Sequence, residues 1–114
     1  IGRSGFALSV SMNTRENWIR TQLALMGSPA KGNFYLLEQQ KEFIEDAIGS
    51  KLEWHQLEGK QESRICLTRH SSDQSDRNNW SVQHEWLLDT MERFHSTFAP
   101  LIRDLDREEA ELLS

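Results

Sequence analysis

The stretch LEWHQLEGKQESRICLT, residues 52–68, decides the fold class. Before the Glu58-Gly59 pair, Trp54 lies between polar neighbours, and after it Ile65 and Leu67 alternate with polar residues. A period of two is typical of a strand with one buried face. Glycine tolerates the positive φ that a tight chain reversal requires. The stretch therefore predicts a β-hairpin with Glu58 and Gly59 in its turn.

The same turn contains Glu58-x-Lys60, which matches the last half of a motif found in metal-dependent nucleases. In that motif an upstream Asp and the Glu hold a divalent metal ion, and the Lys polarises the scissile phosphate. Asp46 is the one Asp at a suitable upstream spacing, but its surroundings predict a helix. We do not expect Asp46 and Glu58 to converge. A solvated turn is the preferred interpretation, and a nuclease-like enzyme is the less favoured alternative.

The segments that flank this hairpin repeat its strand pattern and then change to helical spacing. GFALSVSM and NWIRTQLALM alternate, which predicts an antiparallel hairpin over Phe6–Met12 and Asn17–Met26. Apolar residues at offsets of three and four predict one helix over Asn33–Ile48, with Gly49 as its C-cap. The sequence thus predicts that a helix links the two hairpins.

The last third of the chain predicts an exposed loop followed by a long helix. HSSDQSDRNN is polar and without periodicity, and Ser81 is the expected N-cap of the helix after it. Apolar residues then recur at helical spacing from His84 to Leu105. Pro100 lies inside this run, removes a backbone hydrogen bond, and predicts a break near Ala99.

These elements predict an α+β fold in two layers, a four-stranded antiparallel sheet with two helices on one face. The chain order is ββαββα, in a single domain covering 1–114 with pseudo-repeat halves at about 5–49 and 51–105. The chain begins with Ile1 rather than Met. We therefore expect it to be a fragment of a longer protein or a processed chain, and the family resemblance given below implies that it is the C-terminal part.

Charge and cysteine content exclude several classes of function. Residues 1–70 carry nine Lys/Arg and eight Asp/Glu, whereas residues 71–114 carry four and ten. Only the first part is therefore expected to contact nucleic acid, because phosphate binding needs a basic surface. Cys66 is the only cysteine, which excludes an internal disulfide and fits a cytoplasmic protein. His84 and His95 would be about 16 Å apart along a helix, too far for one metal ion. We expect no cofactor, metal or membrane partner.

One face of the predicted sheet is the main candidate for function. If Phe6, Leu8, Val10, Ile19, Leu23, Trp54, Ile65 and Leu67 face the helices, the other face is left uncovered. It carries the five candidate binding residues Trp18, Arg20, Gln22, His55 and Arg64, together with Glu53 and Thr68. Aromatic and Arg side chains on an open sheet can stack nucleic-acid bases. The same face could instead bind a peptide, another domain or a second copy, or Trp18 could be covered by the chain ends or by the segment after Pro100.

The long last helix offers a second binding surface. Its apolar side chains exceed what the core of a small domain is expected to bury. Homodimerisation through this helix is therefore an alternative, with Trp86, Phe94, Phe98 and Leu105 as the candidate contacts.

The order of motifs resembles a family of uncharacterised prokaryotic domains. The residues that carry the resemblance are SVS, NWIR, FYLLEQQKEFIE, LEW, SRI and HEWLLDTMERFHSTFAP, from about Gly5 to Leu105. Such domains are typically found at the C-terminal end of longer bacterial proteins and often follow nuclease-like or restriction-associated modules. The resemblance implies a noncatalytic recognition or assembly domain of a DNA-processing or defence protein. Its partner would be DNA, an adjacent nuclease-like domain of the same chain, or a second copy.

Overall fold

The computed structural model describes residues 5–70 and 72–113, and of residues 106–113 the backbone only. It confirms the α+β class, a four-stranded antiparallel sheet with helices on one face. The strands are β1 (Phe6–Asn13), β2 (Trp18–Met26), β3 (Glu53–His55) and β4 (Glu62–Arg69). The α-helices are α1 (Ala30–Glu38), α2 (Lys41–Ile48) and α3 (Trp80–Leu113), and a short 3-10 helix, Arg77–Asn79, precedes α3.

The two hairpins join through their second strands, so that the order across the sheet is β1-β2-β4-β3. Leu23 of β2 lies opposite Leu8 of β1 and Ile65 of β4, and Trp54 of β3 lies opposite Ile65. This register confirms the predicted helix-facing set. Val10 is the one member of this set that is exposed. It is 40% exposed, on the edge strand β1.

Both predicted turns form, each for a local reason. In the first hairpin, the side-chain Oδ1 of Asn13 accepts hydrogen bonds from the backbone N–H groups of Arg15 and Glu16. In the second, Gly59 has a φ of +81°, and the N–H of Lys60 donates to the Leu57 carbonyl at 3.2 Å. The turn at Glu58-Gly59 is therefore confirmed.

The first helical segment differs from the prediction, because two helices replace one. The N–H of Gln40 donates to the Leu37 carbonyl, three residues earlier, and this tighter bond ends α1. Helix α2 starts at the next residue. The apolar spacing runs on across the junction, and Phe34, Leu37, Ile44 and Ile48 are all buried. Periodicity therefore gives no sign of the break.

The long helix also departs from the prediction at two points. It continues through Pro100 instead of breaking near Ala99. Phe98 and Ile102, on either side of the proline, are almost fully buried in the core, and this packing holds both halves in one helix. At its start, α3 begins at Trp80, so Ser81 lies inside the first turn rather than at the N-cap.

The core lies between the sheet and the three α-helices. Its centre consists of Leu23, Leu25 and Ile65 from the strands, packed against Phe34, Leu37, Ile44, Ile48, Phe94, Phe98 and Ile102. One polar pair interrupts it, since the hydroxyls of Thr21 and Thr90 are 2.6 Å apart. Thr90 Oγ1 donates to the Trp86 carbonyl at 2.8 Å and can accept from Thr21 Oγ1, so both hydroxyls have hydrogen-bond partners. It ties β2 to α3.

Candidate functional site

All five predicted binding residues lie on the sheet face that points away from the helices. Because side chains alternate along a strand, the register decides this placement. Across the sheet, Arg20 lies opposite Thr68, Gln22 opposite Cys66, and Arg64 opposite His55. We call this surface the open face. It consists of Trp18, Arg20, Gln22, Glu53, His55, Glu62, Arg64, Cys66 and Thr68, together with the small residues of β1 that point the same way.

A chain of polar contacts organises the centre of the open face. The guanidinium carbon of Arg20 lies 4.1 Å from the centre of the Trp18 ring, a cation–π contact. Arg20 Nε donates to Thr68 Oγ1 at 2.8 Å, and Thr68 Oγ1 donates to Glu53 Oε2 at 2.5 Å. The network fixes the Arg20 plane against the aromatic ring. It also places the carboxylate of Glu53 near Arg20, so the two charges partly offset each other.

Gln22 and Cys66 form the floor of the open face. Cys66 Sγ lies 3.9 Å from Gln22 Oε1, and the cysteine has no exposed surface. Burial raises the pKa of the Cys66 thiol to about 11. At neutral pH the side chain is therefore a protonated thiol and a poor nucleophile. The buried thiol therefore acts as a small packing residue.

Arg64 and His55 occupy the β3 side of the open face. Arg64 Nε lies 3.3 Å from Glu62 Oε1, in a half-exposed ion pair. His55 is exposed at the end of β3, opposite Arg64. With two arginines and two glutamates, the open face is nearly balanced in charge. Such a balance reduces the counterion release on which tight phosphate binding depends.

The sequence reasoning missed the part of the chain that supports Trp18. The loop after β4 folds back on the first hairpin: Gln74 Nε2 donates to the Trp18 carbonyl at 3.0 Å, and the N–H of Ser72 donates to the Asn17 carbonyl. Asp76 caps the 3-10 helix by accepting from the N–H of Asn78. A polar run without periodicity carries no signal for such docking, so it was predicted as an exposed loop. Ser72 is in fact buried.

The predicted dimer contacts of α3 divide into two groups. Phe94 and Phe98 have no exposed surface and pack against each other with ring centres 5.5 Å apart. Both belong to the chain's own core, so the prediction that they contact a second copy is wrong. Trp86 and Leu105 are half-buried. The core reaches α3 because the side chains of α1 and α2 pack against the same side of the sheet as Phe94 and Phe98.

The Glu58-x-Lys60 half-motif and the upstream Asp46 lie on separate elements. Glu58 and Lys60 are exposed in the β3–β4 loop, whereas Asp46 is exposed on α2. The loop is held from below by Lys31, whose ammonium donates to the carbonyls of Leu57 and Glu62 at 2.8 and 2.7 Å. In the part of the chain that the structure describes, no three His, Cys, Asp or Glu side chains form a group able to hold a metal ion.

The fold and the open face define a class: a small α+β domain that covers one side of its sheet and displays the other. The chain belongs to the family described as Domain of unknown function (DUF4268), whose family model matches residues 1–102. No curated protein and no solved structure matches the chain. Among the described helices, none has both the length and the apolar composition needed to cross a membrane.

Proposed function

We propose that this chain is a noncatalytic recognition domain that holds a protein partner on its open face. The partner we favour is an adjacent nuclease-like domain of the same bacterial DNA-processing or defence-related protein, in the cytoplasm. The observation that carries the proposal is the network of Trp18, Arg20, Thr68 and Glu53, which displays a rigid aromatic and guanidinium surface on an uncovered sheet.

Three properties of the network suit a protein partner. Trp and Arg are the side chains most enriched among residues that dominate protein interfaces. The contacts within the network hold both side chains in place before binding, which lowers the conformational entropy lost on association. The charge balance between Arg20, Arg64, Glu53 and Glu62 offers partners for groups of either sign, which suits a protein surface better than a phosphate backbone.

Nucleic acid is the second candidate, and the stacked pair Trp18–Arg20 is the observation that favours it. Single-stranded bases stack on aromatic rings and on Arg guanidinium planes. Here the guanidinium already covers one face of the indole at 4.1 Å. A base would therefore stack on the exposed side of the pair, which leaves one stacking position at this site rather than two.

The test uses Arg20→Ala and Trp18→Ala, with Arg77→Ala as a matched control. Arg77 also lies over a tryptophan, with 5.6 Å to the Trp80 ring centre, but it belongs to the 3-10 helix before α3 and not to the sheet. In co-expression with the remainder of its parent protein, both open-face variants should weaken the association at least about tenfold, as for central interface residues. Arg77→Ala should leave it unchanged.

Fluorescence anisotropy separates the two candidates. The chain is titrated into labelled single- and double-stranded oligonucleotides at low salt. A protein partner predicts no anisotropy change that depends on Trp18. Binding that Trp18→Ala abolishes, with a steep decrease as salt rises, would overturn the protein partner in favour of nucleic acid. Equal loss in all three variants would remove the open face from either role.

A further inference from the structure

The outer edge of β1 is long, regular and uncharged. Its eight residues, FALSVSMN, pair with β2 without an interruption in the register, and none of them is charged or proline. Natural proteins normally protect such an edge with charge, proline, a bulge or a short strand, because the outward-pointing backbone groups of an edge strand can pair with another strand. Among the described residues, β1 has a strand neighbour on one side only.

An exposed apolar groove runs beside this edge, between β1 and α3. One part is a cavity of about 330 Å³ lined by Val10, His84, Leu87, Leu88 and Met91. The next part is a cavity of about 240 Å³ that includes Met12 and Trp80. Leu88 is 70% exposed, Met12 49% and Val10 40%, values that are high for large apolar side chains. We call the exposed residues Val10, Met12 and Leu88 the edge patch.

We propose that the β1 edge is a homodimer interface, in which β1 pairs antiparallel with β1 of a second copy and the two α3 helices pack across the twofold axis. An identical strand is always complementary to itself in this arrangement, because a twofold axis relates each donor to the matching acceptor. The middle of β1 falls at Ser9 and Val10. The edge patch is therefore close to the axis in both copies.

The geometry of the layers favours a second copy as the occupant. Helix α3 packs against both β1 and β2, so it lies above the space between them. With strands about 4.8 Å apart, its axis lies about 5 Å from the proposed twofold axis. The two copies of α3 are then about 10 Å apart, which is the distance at which helices pack through their side chains. The same twofold rotation thus pairs the two β1 strands and covers Leu88 with the second copy of α3.

The size of this interface is at the lower limit of what a dimer needs. The paired strands give it a length of about 26 Å, and the stacked sheet and helix layers give it a height of about 20 Å. The resulting footprint is roughly 500 Å² per copy, and protruding side chains raise the accessible area toward the about 800 Å² per partner of standard interfaces. Across the edge strands, no charge of one copy opposes a like charge of the other.

The dimer would also enlarge the open face. A register that keeps helix-facing residues beside one another forms a continuous sheet of eight strands. Both open faces then lie on the same side. The dimer proposal does not depend on the function of the open face, since Trp18 and Arg20 lie on β2 and take no part in the edge.

Sedimentation at a series of concentrations tests the proposal with matched variants. The wild-type chain should change from one to two copies as its concentration rises to about 100 µM, which reaches even weak interfaces. Val10→Lys and Leu88→Lys should weaken the dimer at least about tenfold, because a buried lysine would lack a partner. Phe43→Lys is the control, since Phe43 is 60% exposed on α2, away from β1. Trp18→Ala should leave the dimer intact.

Cysteine cross-linking tests the register independently. Ser9→Cys and Val10→Cys place thiols near the proposed axis. The cysteine nearest to the axis should form a disulfide with the same residue of the second copy. Phe43→Cys should not. The buried Cys66 should stay reduced in all three. A wild-type chain that stays monomeric at about 100 µM overturns the proposal and leaves the edge to a strand of another protein. Equal weakening by Phe43→Lys, or cross-links only through Phe43→Cys, overturns it as well.

Discussion

The two edges of the sheet are built in opposite ways. The β3 edge has only three residues, and it is fastened to the helices: Glu45 of α2 accepts from the Leu52 N–H at 2.7 Å and from the Trp54 indole at 3.3 Å. The loop after β3 is held by Lys31 of α1. The β1 edge has eight residues, carries no charge and borders an apolar groove.

Among the residues that the structure describes, the domain protects the β3 edge and leaves β1 without a second strand neighbour. A sheet edge that is short and covered cannot recruit another strand, whereas a long neutral edge can. The difference between the two edges supports the proposal that the β1 edge is an assembly surface. The following predictions remove contacts of the β3 edge, the protected edge, and measure how much each contact contributes to the stability of the chain.

Loss of Trp54 should cause the largest effect at the protected edge. Its ring meets Phe34 edge-on at 6.0 Å, and its indole N–H binds Glu45. Trp54→Ala should lower the free energy of unfolding by about 2–4 kcal/mol, since the ring is half-buried. Urea denaturation followed by circular dichroism measures this. Trp54→Phe keeps most of the packing and should lose only about 0.5–1.5 kcal/mol, the value of one hydrogen bond. An unchanged midpoint for Trp54→Ala would show that the edge does not depend on this ring.

The end of α2 should be the next most sensitive point, because Glu45 depends on how that helix terminates. Gly49 has a φ of +88°, and a Cβ there would lie 3.1 Å from Arg93 Nη1. Arg93 Nη1 donates to the Ile48 carbonyl at 2.9 Å, where a cation is favourable at a helix C-terminus. Gly49→Ala should therefore destabilise the chain by about 1–2 kcal/mol.

Gly32 in α1 is the matched control for that substitution. A Cβ at Gly32 has no neighbour within 4 Å, and its backbone is helical. Gly32→Ala should stabilise the chain by about 0.5–1 kcal/mol, as expected for a helix interior. Opposite signs in thermal denaturation would confirm both assignments. Destabilisation by both would point to a general intolerance of added methyl groups instead.

The hydrogen bonds that the Glu45 carboxylate accepts from Leu52 and Trp54 should make the stability of the chain sensitive to acid. The hydrogen bond from the Leu52 N–H, with a smaller one from Trp54, lowers the pKa of Glu45 below its ordinary value of 4.5. A lowered pKa in the folded state contributes stability above the unfolded value, and this contribution disappears as the pH falls through the folded value. The melting temperature of the wild type should therefore exceed that of Glu45→Gln at pH 7.

That difference should narrow below about pH 4.5, where the carboxylate of the wild type becomes protonated. Glu42→Gln removes the same charge from the exposed start of α2 and serves as the control. It should show no comparable narrowing. A difference in melting temperature between wild type and Glu45→Gln that stays constant from pH 7 to acid conditions would show that the contacts of Glu45 do not depend on its charge.

The predictable part of this molecule is the part that periodicity encodes. Alternation at Phe6, Trp18 and Ile65 determined both hairpins and the composition of the open face, because a side chain's face follows directly from its position in a strand. The junction at Gln40 and the docking of Gln74 were not predictable. The junction depends on one local backbone hydrogen bond that the apolar spacing does not encode, and the docking of Gln74 depends on contacts with residues distant in the sequence.

The sequence also did not predict which of two similar apolar side chains is buried. Phe98 and Val10 are both apolar and both fit a periodic pattern, yet one is fully buried and the other 40% exposed. The difference depends on the order of strands in the sheet, which puts β1 at an edge and α3 above β1 and β2. No local pattern specifies that order.

The smallest effect should come from Glu58, at the tip of the loop on the protected edge. Its side chain is exposed, and the loop is held through backbone carbonyls rather than through this carboxylate. Glu58→Ala should change the free energy of unfolding by no more than about 0.5 kcal/mol, as for most surface positions. Lys31→Met should cost more, because it leaves the carbonyls of Leu57 and Glu62 without their charged donor. Calorimetric titration with Mg²⁺ or Mn²⁺ should give the same baseline heat for wild type and Glu58→Ala. Saturable binding lost in Glu58→Ala would instead make this loop part of a metal site and revive the nuclease-like interpretation of the hairpin.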